Sequence, residues 1–364
     1  MKHVLVAGGG TAGHIEPALA VADALSARGA TVEALGTTRG LETDLVPARG
    51  YRLRLIDPVP IPRKLSADLL KVPGRVTKAV RQTREILRES DFDAVVGFGG
   101  YVAAPAYMAA RTLKIPFYVH EANARAGMAN KLGVRLGGVG FNAMADSGMP
   151  GEVVGIPVRR GLTGDRSGEA AARGREQWGL DEDRSTLLVT GGSQGAVHLN
   201  AALADALPEI LGEGFQVLHA YGKKNPAPEP AGHYTAVPYI EDMAAAYAVA
   251  DLVVCRSGAM TVAEVTAAGL PAVYVPLPHG NGEQGLNAAD VVAAGGARLI
   301  ADADMTGEVL AEQVKEILGR PDIYQDMRNA AHATGEEGAA DRIAARVLAD
   351  LGAGDPGVAE GKDA

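Results

Sequence analysis

Along this chain, short runs that are apolar at nearly every position alternate with longer stretches carrying apolar residues every three to four positions. That alternation predicts parallel strands covered on both faces, each followed by an amphipathic helix. In the first half the strands fall at residues 2–6, 32–35, 94–96, 116–119 and 138–141. In the second half they fall at 187–190, 216–220, 252–255 and 272–275. The fold class is therefore α/β, with doubly wound parallel sheets.

The two halves echo each other. A shift of 182 residues lays Leu5-Val6-Ala7 on Leu187-Leu188-Val189 and Gly9-Gly10-Thr11-Ala12-Gly13 on Gly191-Gly192-Ser193-Gln194-Gly195. The same shift lays Ala22-Asp23-Ala24-Leu25 on Ala204-Asp205-Ala206-Leu207. Strand, glycine turn and helix in one register point to two Rossmann-like domains, a number that suits 364 residues. Residues 1–159 are expected to form the first domain and 160–337 the second, with a hinge near 155–159. A terminal helix near 338–352 is expected to pack back on the first domain, and 353–364 to be a disordered tail. The polar stretch 165–185 reads as exposed. Ligands of such sheets bind beyond the carboxyl ends of the strands, so a shared cleft between the two sheets is the expected site.

A net charge of −9 argues against nucleic acid as the main partner. Cys255 is the single cysteine, which excludes an internal disulfide and favours a reducing compartment. The first strand starts at Lys2, a position read as leaving no room for a signal or transit peptide. The longest uncharged runs, 94–110 and 265–282, fall short of the ~20 residues of a bilayer span and are broken by glycine and proline. A cytosolic protein, or one lying on a membrane surface, is expected.

Five constellations carry chemistry. Gly8-x-Gly10-x-x-Gly13 matches the dinucleotide fingerprint, with Glu33 about 20 residues further on, so a nicotinamide dehydrogenase is one reading. His14 after the last glycine, and the second glycine turn, favour instead two phosphate-holding loops, each offering main-chain amides at a helix start. Arg256-Ser257-Gly258-Ala259-Met260-Thr261-Val262-Ala263-Glu264 runs from a strand into a helix. Thr261-x-x-Glu264 fits a capping box there, and Glu264 also fits a ribose diol. Phe98-Gly99-Gly100-Tyr101 pairs with His120-Glu121-Ala122-Asn123, followed by Asn130, which brings acid, base and amide groups to strand exits. His279 to Asn287, with Gln284, suits sugar hydroxyls. Asp91-x-Asp93 imitates a metal-binding pair but precedes its strand, Asp302 and Asp304 lack supporting ligands, and no His/Cys spacing suggests zinc.

Taken in order, Gly-Gly-Thr-x-Gly-His, Phe-Gly-Gly-Tyr-Val, His-Glu-x-Asn, Gly-Gly-Ser-Gln-Gly-Ala and Cys-Arg-Ser-Gly-Ala-x-Thr resemble the MurG family of bacterial N-acetylglucosaminyltransferases. The likeness runs from residue 3 to about residue 350. It implies a GT-B fold and inverting transfer of GlcNAc from UDP-GlcNAc to the 4-hydroxyl of MurNAc-pentapeptide on undecaprenyl diphosphate, lipid I becoming lipid II. With the Asp pairs set aside, metal-free chemistry is expected, and no cofactor. By motif, Thr11, Ala12 and Gly13 line the diphosphate region, Tyr101 and Asn130 join the substrate site, and Asn123 touches GlcNAc. Arg159 and Ser193 hold phosphate, Gln194 joins the substrate site, the Ile240 main chain reads uracil, Ala259 to Glu264 cradle diphosphate and ribose, and Gln284 meets GlcNAc hydroxyls. Gly155-Ile156-Pro157 replaces the family's usual Gly-Asn-Pro, and Glu283 stands where Gln is common.

Inverting transfer needs a base, here His14, with His120 or Glu121 behind it, and help for departing UDP from helix-start amides, Arg256 or Arg159. A lipid-linked acceptor needs a surface for anionic lipid. Between residues 60 and 90, eight Lys/Arg stand against three Asp/Glu, interleaved with Leu65, Leu69, Leu70, Val72, Val76 and Val80. That stretch is expected to hold the protein peripherally on the cytoplasmic face of the plasma membrane. A UDP-GlcNAc 2-epimerase and a non-catalytic nucleotide-sugar-binding protein remain as alternatives.

Overall fold

The computed structural model describes residues 1–59, 71–162, 164–192, 195–278, 282–335 and 338–352. The expected tail at 353–364 lies outside them. The chain divides into two units, Met1–Arg159 with the segment from Gly338, and Arg160–Glu337.

The first unit is built on a seven-stranded, all-parallel sheet. Its strands are β1 (His3–Ala7), β2 (Thr31–Thr37), β3 (Arg52–Ile56), β4 (Ala94–Gly97), β5 (Phe117–Glu121), β6 (Val139–Asn142) and β7 (Glu152–Val153), in the order β3-β2-β1-β4-β5-β6-β7. On β1 the two-residue period sends Val4 and Val6 to one face, and Leu5 and Ala7 to the other, all buried. Ile15, Leu19 and Leu25 of helix Ala12–Ala27 cover the first face together with Ile343, Ala344 and Val347 of helix Ala339–Asp350. Helices Val72–Glu89 and Ala103–Leu113 cover the second. Double coverage is why the inner strands read as unbroken apolar runs.

The second unit repeats the plan with six parallel strands: β8 (Thr186–Thr190), β9 (Gln216–Ala220), β10 (Tyr234–Val237), β11 (Leu252–Cys255), β12 (Ala272–Tyr274) and β13 (Ala297–Leu299). Their order is β10-β9-β8-β11-β12-β13, so β8 occupies the place that β1 holds in the first sheet. Helices Val197–Gly212 and Gly307–Leu318 pack together over one face.

Four strands escape the apolar-run criterion: β3, β7, β10 and β13. All four are sheet edges. An edge strand is covered less completely and carries polar residues, as Arg52-Leu53-Arg54-Leu55-Ile56 does, so its hydrophobic signal is weaker. The stretch 165–185 also departs from expectation. Within it, helix Glu169–Trp178 buries Ala171 and Trp178 against helix Met243–Val249 rather than lying wholly in solvent.

Candidate active site

In each sheet the strand order reverses beside the central strand, between β1 and β4 in the first and between β8 and β11 in the second. Loops leaving neighbouring strands in opposite directions open a crevice at such a point. The glycine motifs occupy these four loops.

In the first unit, Gly8 lets the helix sit hard against β1, because a Cβ there would lie 2.2 Å from the His14 carbonyl oxygen. Gly10 takes a left-handed φ of 89°, turning the chain into helix Ala12–Ala27. No side chain caps that helix, which leaves the Ala12 and Gly13 amides for an external acceptor. The loop after β4 presses on this turn, since a Cβ on Gly100 would stand 2.3 Å from the Gly9 oxygen. His14 lies beside Gly99 and Gly100, which have no side chain to obstruct it. Its Nδ1 contacts the Thr11 hydroxyl at 3.2 Å. Burial holds the His14 imidazole below its ordinary value of 6.5, with the Glu121 charge and a main-chain hydrogen bond at Gly9 opposing that shift. A half-buried, neutral imidazole is suited to accept a proton. Tyr101 is exposed beside Gly10.

The groups at the end of β5 correct one expectation. His120 is completely buried and donates from Nε2 to the Gly155 carbonyl at 2.9 Å, and burial lowers its pKa. Glu121 is 2% exposed and accepts from the Asn123 amide at 2.9 Å, Asn123 Nδ2 at 3.0 Å, Gly127 N at 2.9 Å and Asn130 Nδ2 at 3.0 Å. Asn130 in turn accepts from Tyr107 at 2.9 Å. The Glu121 oxygens are engaged, and His120, although its Nδ1 has no hydrogen-bond partner, is completely buried, so neither is open to a substrate proton. Glu121 acts on His14 through its charge instead. Glu33 is likewise removed from any ribose: it sits early in β2, at the amino end, bound to Arg54 and near His3. The acid that a dinucleotide fingerprint needs is therefore absent from its place. Arg159 reaches Glu16 at 3.7 Å, on the same helix as His14.

In the second unit, Gly191 and Gly195 permit close approach to Ala196 and Tyr221, and helix Val197–Gly212 starts without a side-chain cap. Ser193 and Gln194 lie outside the described residues, as do residues 279–281. Helix Ala259–Ala267 also starts uncapped, after Gly258. The capping box is not formed, because Thr261 sits inside the first turn and Glu264 turns away to accept from the buried Tyr247 hydroxyl at 3.0 Å. Met260 and Val262 are buried, so a ligand could meet only their main chain, whereas Thr261 and Ala263 are partly open. Ile240 is also buried. Gln284 accepts from the Leu277 amide at 2.9 Å, and Asn287 donates to the Ser257 carbonyl at 3.2 Å, tying helix Glu283–Asn287 to the crevice. Arg256 is not a free charge for a leaving group: it pairs with Asp302 and donates to the Val275 and Pro276 carbonyls at 3.1 and 3.2 Å. Cys255 is buried, which pushes its thiol pKa up and makes it inert.

Asp93 accepts from the His3 amide at 2.8 Å and pairs with Lys2, at the amino end of the sheet. Asp302 meets Arg256 and His198. Among the described residues no His/Cys/Asp/Glu group is arranged to hold a metal ion. None of the described helices is long and apolar enough to cross a membrane. Helix Val72–Glu89 turns Val76, Val80, Ile86 and buried Leu87 onto the core, so its apolar side is already occupied and a mainly basic side, which also carries Glu85 and Glu89, meets solvent. Leu65, Leu69 and Leu70 lie outside the described residues.

Residues 4–136 match the glycosyltransferase family 28 N-terminal domain, and residues 186–343 the family 28 C-terminal domain. The crystal structure of MurG from Acinetobacter baumannii is similar with a TM-score of 0.72 at 32% identity, over 96% of this chain and 100% of that one. A curated relative in Corynebacterium efficiens is 64% identical over 350 residues, covering 96% of this chain and 97% of the relative. The chain belongs to the MurG family. That Corynebacterium efficiens relative is named UDP-N-acetylglucosamine–N-acetylmuramyl-(pentapeptide) pyrophosphoryl-undecaprenol N-acetylglucosamine transferase. A MurG-family relative in Corynebacterium diphtheriae carries the same name at 62% identity over 342 residues, 94% of this chain and 95% of the relative. One family 28 domain on each doubly wound unit gives the chain the GT-B fold of MurG enzymes, and it is a glycosyltransferase.

Proposed function

We propose that this protein transfers GlcNAc from UDP-GlcNAc to the 4-hydroxyl of MurNAc-pentapeptide on undecaprenyl diphosphate, converting lipid I into lipid II. The observation that carries the reading is 64% identity, over nearly the whole chain, to a transferase named for that donor and acceptor. The switch-point glycine loops support it.

The first unit takes the acceptor. The Ala12 and Gly13 amides face the lipid diphosphate, with Thr11, Tyr101 and Asn123 around the sugar. Asn130, expected in the substrate site, is buried and bonded to Tyr107, His120 and Glu121, so it braces the end of β5 instead. His14 accepts the proton of the 4-hydroxyl. For that, Nδ1–H donates to the Thr11 oxygen and leaves Nε2 as the acceptor. The second unit takes UDP-GlcNAc: main-chain amides at Ala259, Met260 and Thr261, together with Ser193 and Gln194, hold the diphosphate. Glu264 accepts from the ribose, the Ile240 main chain reads uracil, and Gln284 meets the GlcNAc hydroxyls. The acceptor oxygen attacks C1 from the side opposite UDP, so configuration inverts. One C–O bond forms, the bond from C1 to the phosphate oxygen breaks, and the proton rests on His14. Charge gathering on UDP meets amides already oriented at uncapped helix starts. Arg159 and Arg256 act through the pairs they make rather than as free cations.

The lipid acceptor and the basic side of helix Val72–Glu89 support a peripheral position on the cytoplasmic face, against anionic lipid. Incubating the protein with UDP-GlcNAc and a short-chain lipid I analogue tests the reaction. Acceptor-dependent release of UDP with formation of the β-linked disaccharide is expected. UDP-GlcNAc binding without any acceptor-dependent release would identify a non-catalytic sensor instead.

A further inference from the structure

Glu42 is a fully buried carboxylate with no part in the proposed chemistry, yet it is joined to it. Its Oε1 accepts from the Thr37 amide at 2.8 Å and the Thr37 hydroxyl at 2.9 Å, and its Oε2 accepts from the Gly10 amide at 3.0 Å. Thr37 ends β2, and Gly10 lies in the loop after β1, so one side chain ties together two neighbouring strand exits. Three glycines make room for it. A Cβ on Gly40 would lie 1.8 Å from Oε2, one on Gly36 2.4 Å from Cγ, and one on Gly9 3.1 Å from Oε1. None of these three has a positive φ, so what they supply is space rather than backbone freedom. An unsatisfied buried carboxylate is costly, and these hydrogen bonds from neutral groups offset that cost only in one loop geometry.

We propose that Glu42 is a positioning residue for the acceptor side of the site. By accepting from Gly10 N it holds the left-handed turn at Gly10, and through that turn it sets the direction of the Ala12 and Gly13 amides and the place of His14. Because the Gly10 amide is engaged by a carboxylate, the acceptor diphosphate meets Ala12 and Gly13 and not Gly10. This inference rests on the reading of the first unit as the acceptor side.

Glu42→Gln tests it. The amide oxygen can still serve Thr37, but Nε2 then meets Gly10 N–H donor to donor, so the loop contact is lost selectively. The KM for the lipid I analogue is expected to rise about tenfold or more and kcat to fall, while the KM for UDP-GlcNAc stays within about twofold. Thr37→Val removes one bond to Glu42 but spares Gly10, and is expected to leave the acceptor KM unchanged even if its melting temperature falls as far. Equal changes in both KM values, or an acceptor effect in Thr37→Val matching that of Glu42→Gln, would reduce Glu42 to a structural role and overturn the proposal. Amide hydrogen exchange on the unliganded wild-type protein gives a reading that needs neither the variant to fold nor the reaction to occur. Gly10 N–H is expected to exchange at least about a hundredfold more slowly than the neighbouring open amides of Ala12 and Gly13. Exchange at the same rate would overturn the proposal. A wild-type protein that transfers no GlcNAc, yet protects Gly10, would sink the acceptor reading and leave the loop tie intact.

Discussion

His14 shows how one residue acquires a role from its surroundings. Its identity and place after a glycine turn are visible in the sequence, but its fitness for the role of base proposed for it comes from burial beside Gly99 and Gly100. Depressing the pKa of a histidine favours the neutral form, so the base stays available at pH 7 and is lost only as the solution becomes acidic enough to protonate it. kcat/KM is expected to be flat above pH 6.5 and to fall with unit slope at some point below 6.5. His14→Ala is expected to lower kcat by about 100- to 10,000-fold with UDP-GlcNAc affinity unchanged, and to lose that acidic limb. A parallel loss of donor affinity, measured by calorimetric titration, would place His14 on the donor side instead. His120 teaches the converse: the same residue type at a strand exit became a buried hydrogen-bond donor, because β5 and its neighbours close over it.

Elements explain how polar residues sit inside this fold. On β9, His219 is buried between the Tyr234 hydroxyl of β10 at 2.8 Å and Asn200 of helix Val197–Gly212 at 3.1 Å. Burial lowers its pKa from 6.5 to about 4. Unfolded chains therefore take up this proton first as pH falls. The second unit's stability is expected to decline from pH 6.5 and to have lost about 3 kcal/mol from His219 alone by about pH 4. Urea titrations at stepped pH check this, and His219→Gln should make the decline shallower. Helix Val72–Glu89 lends its apolar side to the core, so the membrane contact proposed for it is electrostatic. Arg81, whose side chain is 82% exposed, is the simplest probe. Arg81→Glu is expected to weaken salt-sensitive binding to phosphatidylglycerol vesicles several-fold without lowering the melting temperature. Binding that ignores both salt and this substitution would remove helix Val72–Glu89 from the membrane account.

At the scale of the whole molecule, the last helix belongs to the first unit although the second lies between them in sequence. Ile343, Ala344 and Val347 are fully buried and Leu348 nearly so, Arg28 pairs with Asp341 at 2.6 Å, and Arg342 donates to the Val154 carbonyl at 2.7 Å. Burying three large aliphatic side chains contributes about 5 kcal/mol or more, comparable to the stability of a domain. A chain ending at residue 337 is expected to keep a folded second unit and to lose cooperative unfolding of the first. Scanning calorimetry with limited proteolysis would detect this. Two undiminished transitions would show that the helix is dispensable.

Inner strands, the repeated glycine turns and the motif order were legible in the sequence, because double burial forces apolar runs and tight turns force glycine. Those local demands leave their mark on consecutive residues. What lies far apart in sequence did not: the edge strands, the engagement of Arg256 by Asp302, the burial of His120 and Glu121, and the hold of Glu42 on Gly10. Only Gly36, Gly40 and Glu42 standing close together hinted at the last. Pairing across 32 residues or more is decided when the sheet assembles, since a carboxylate or guanidinium gains its partner from topology and not from its neighbours in the chain.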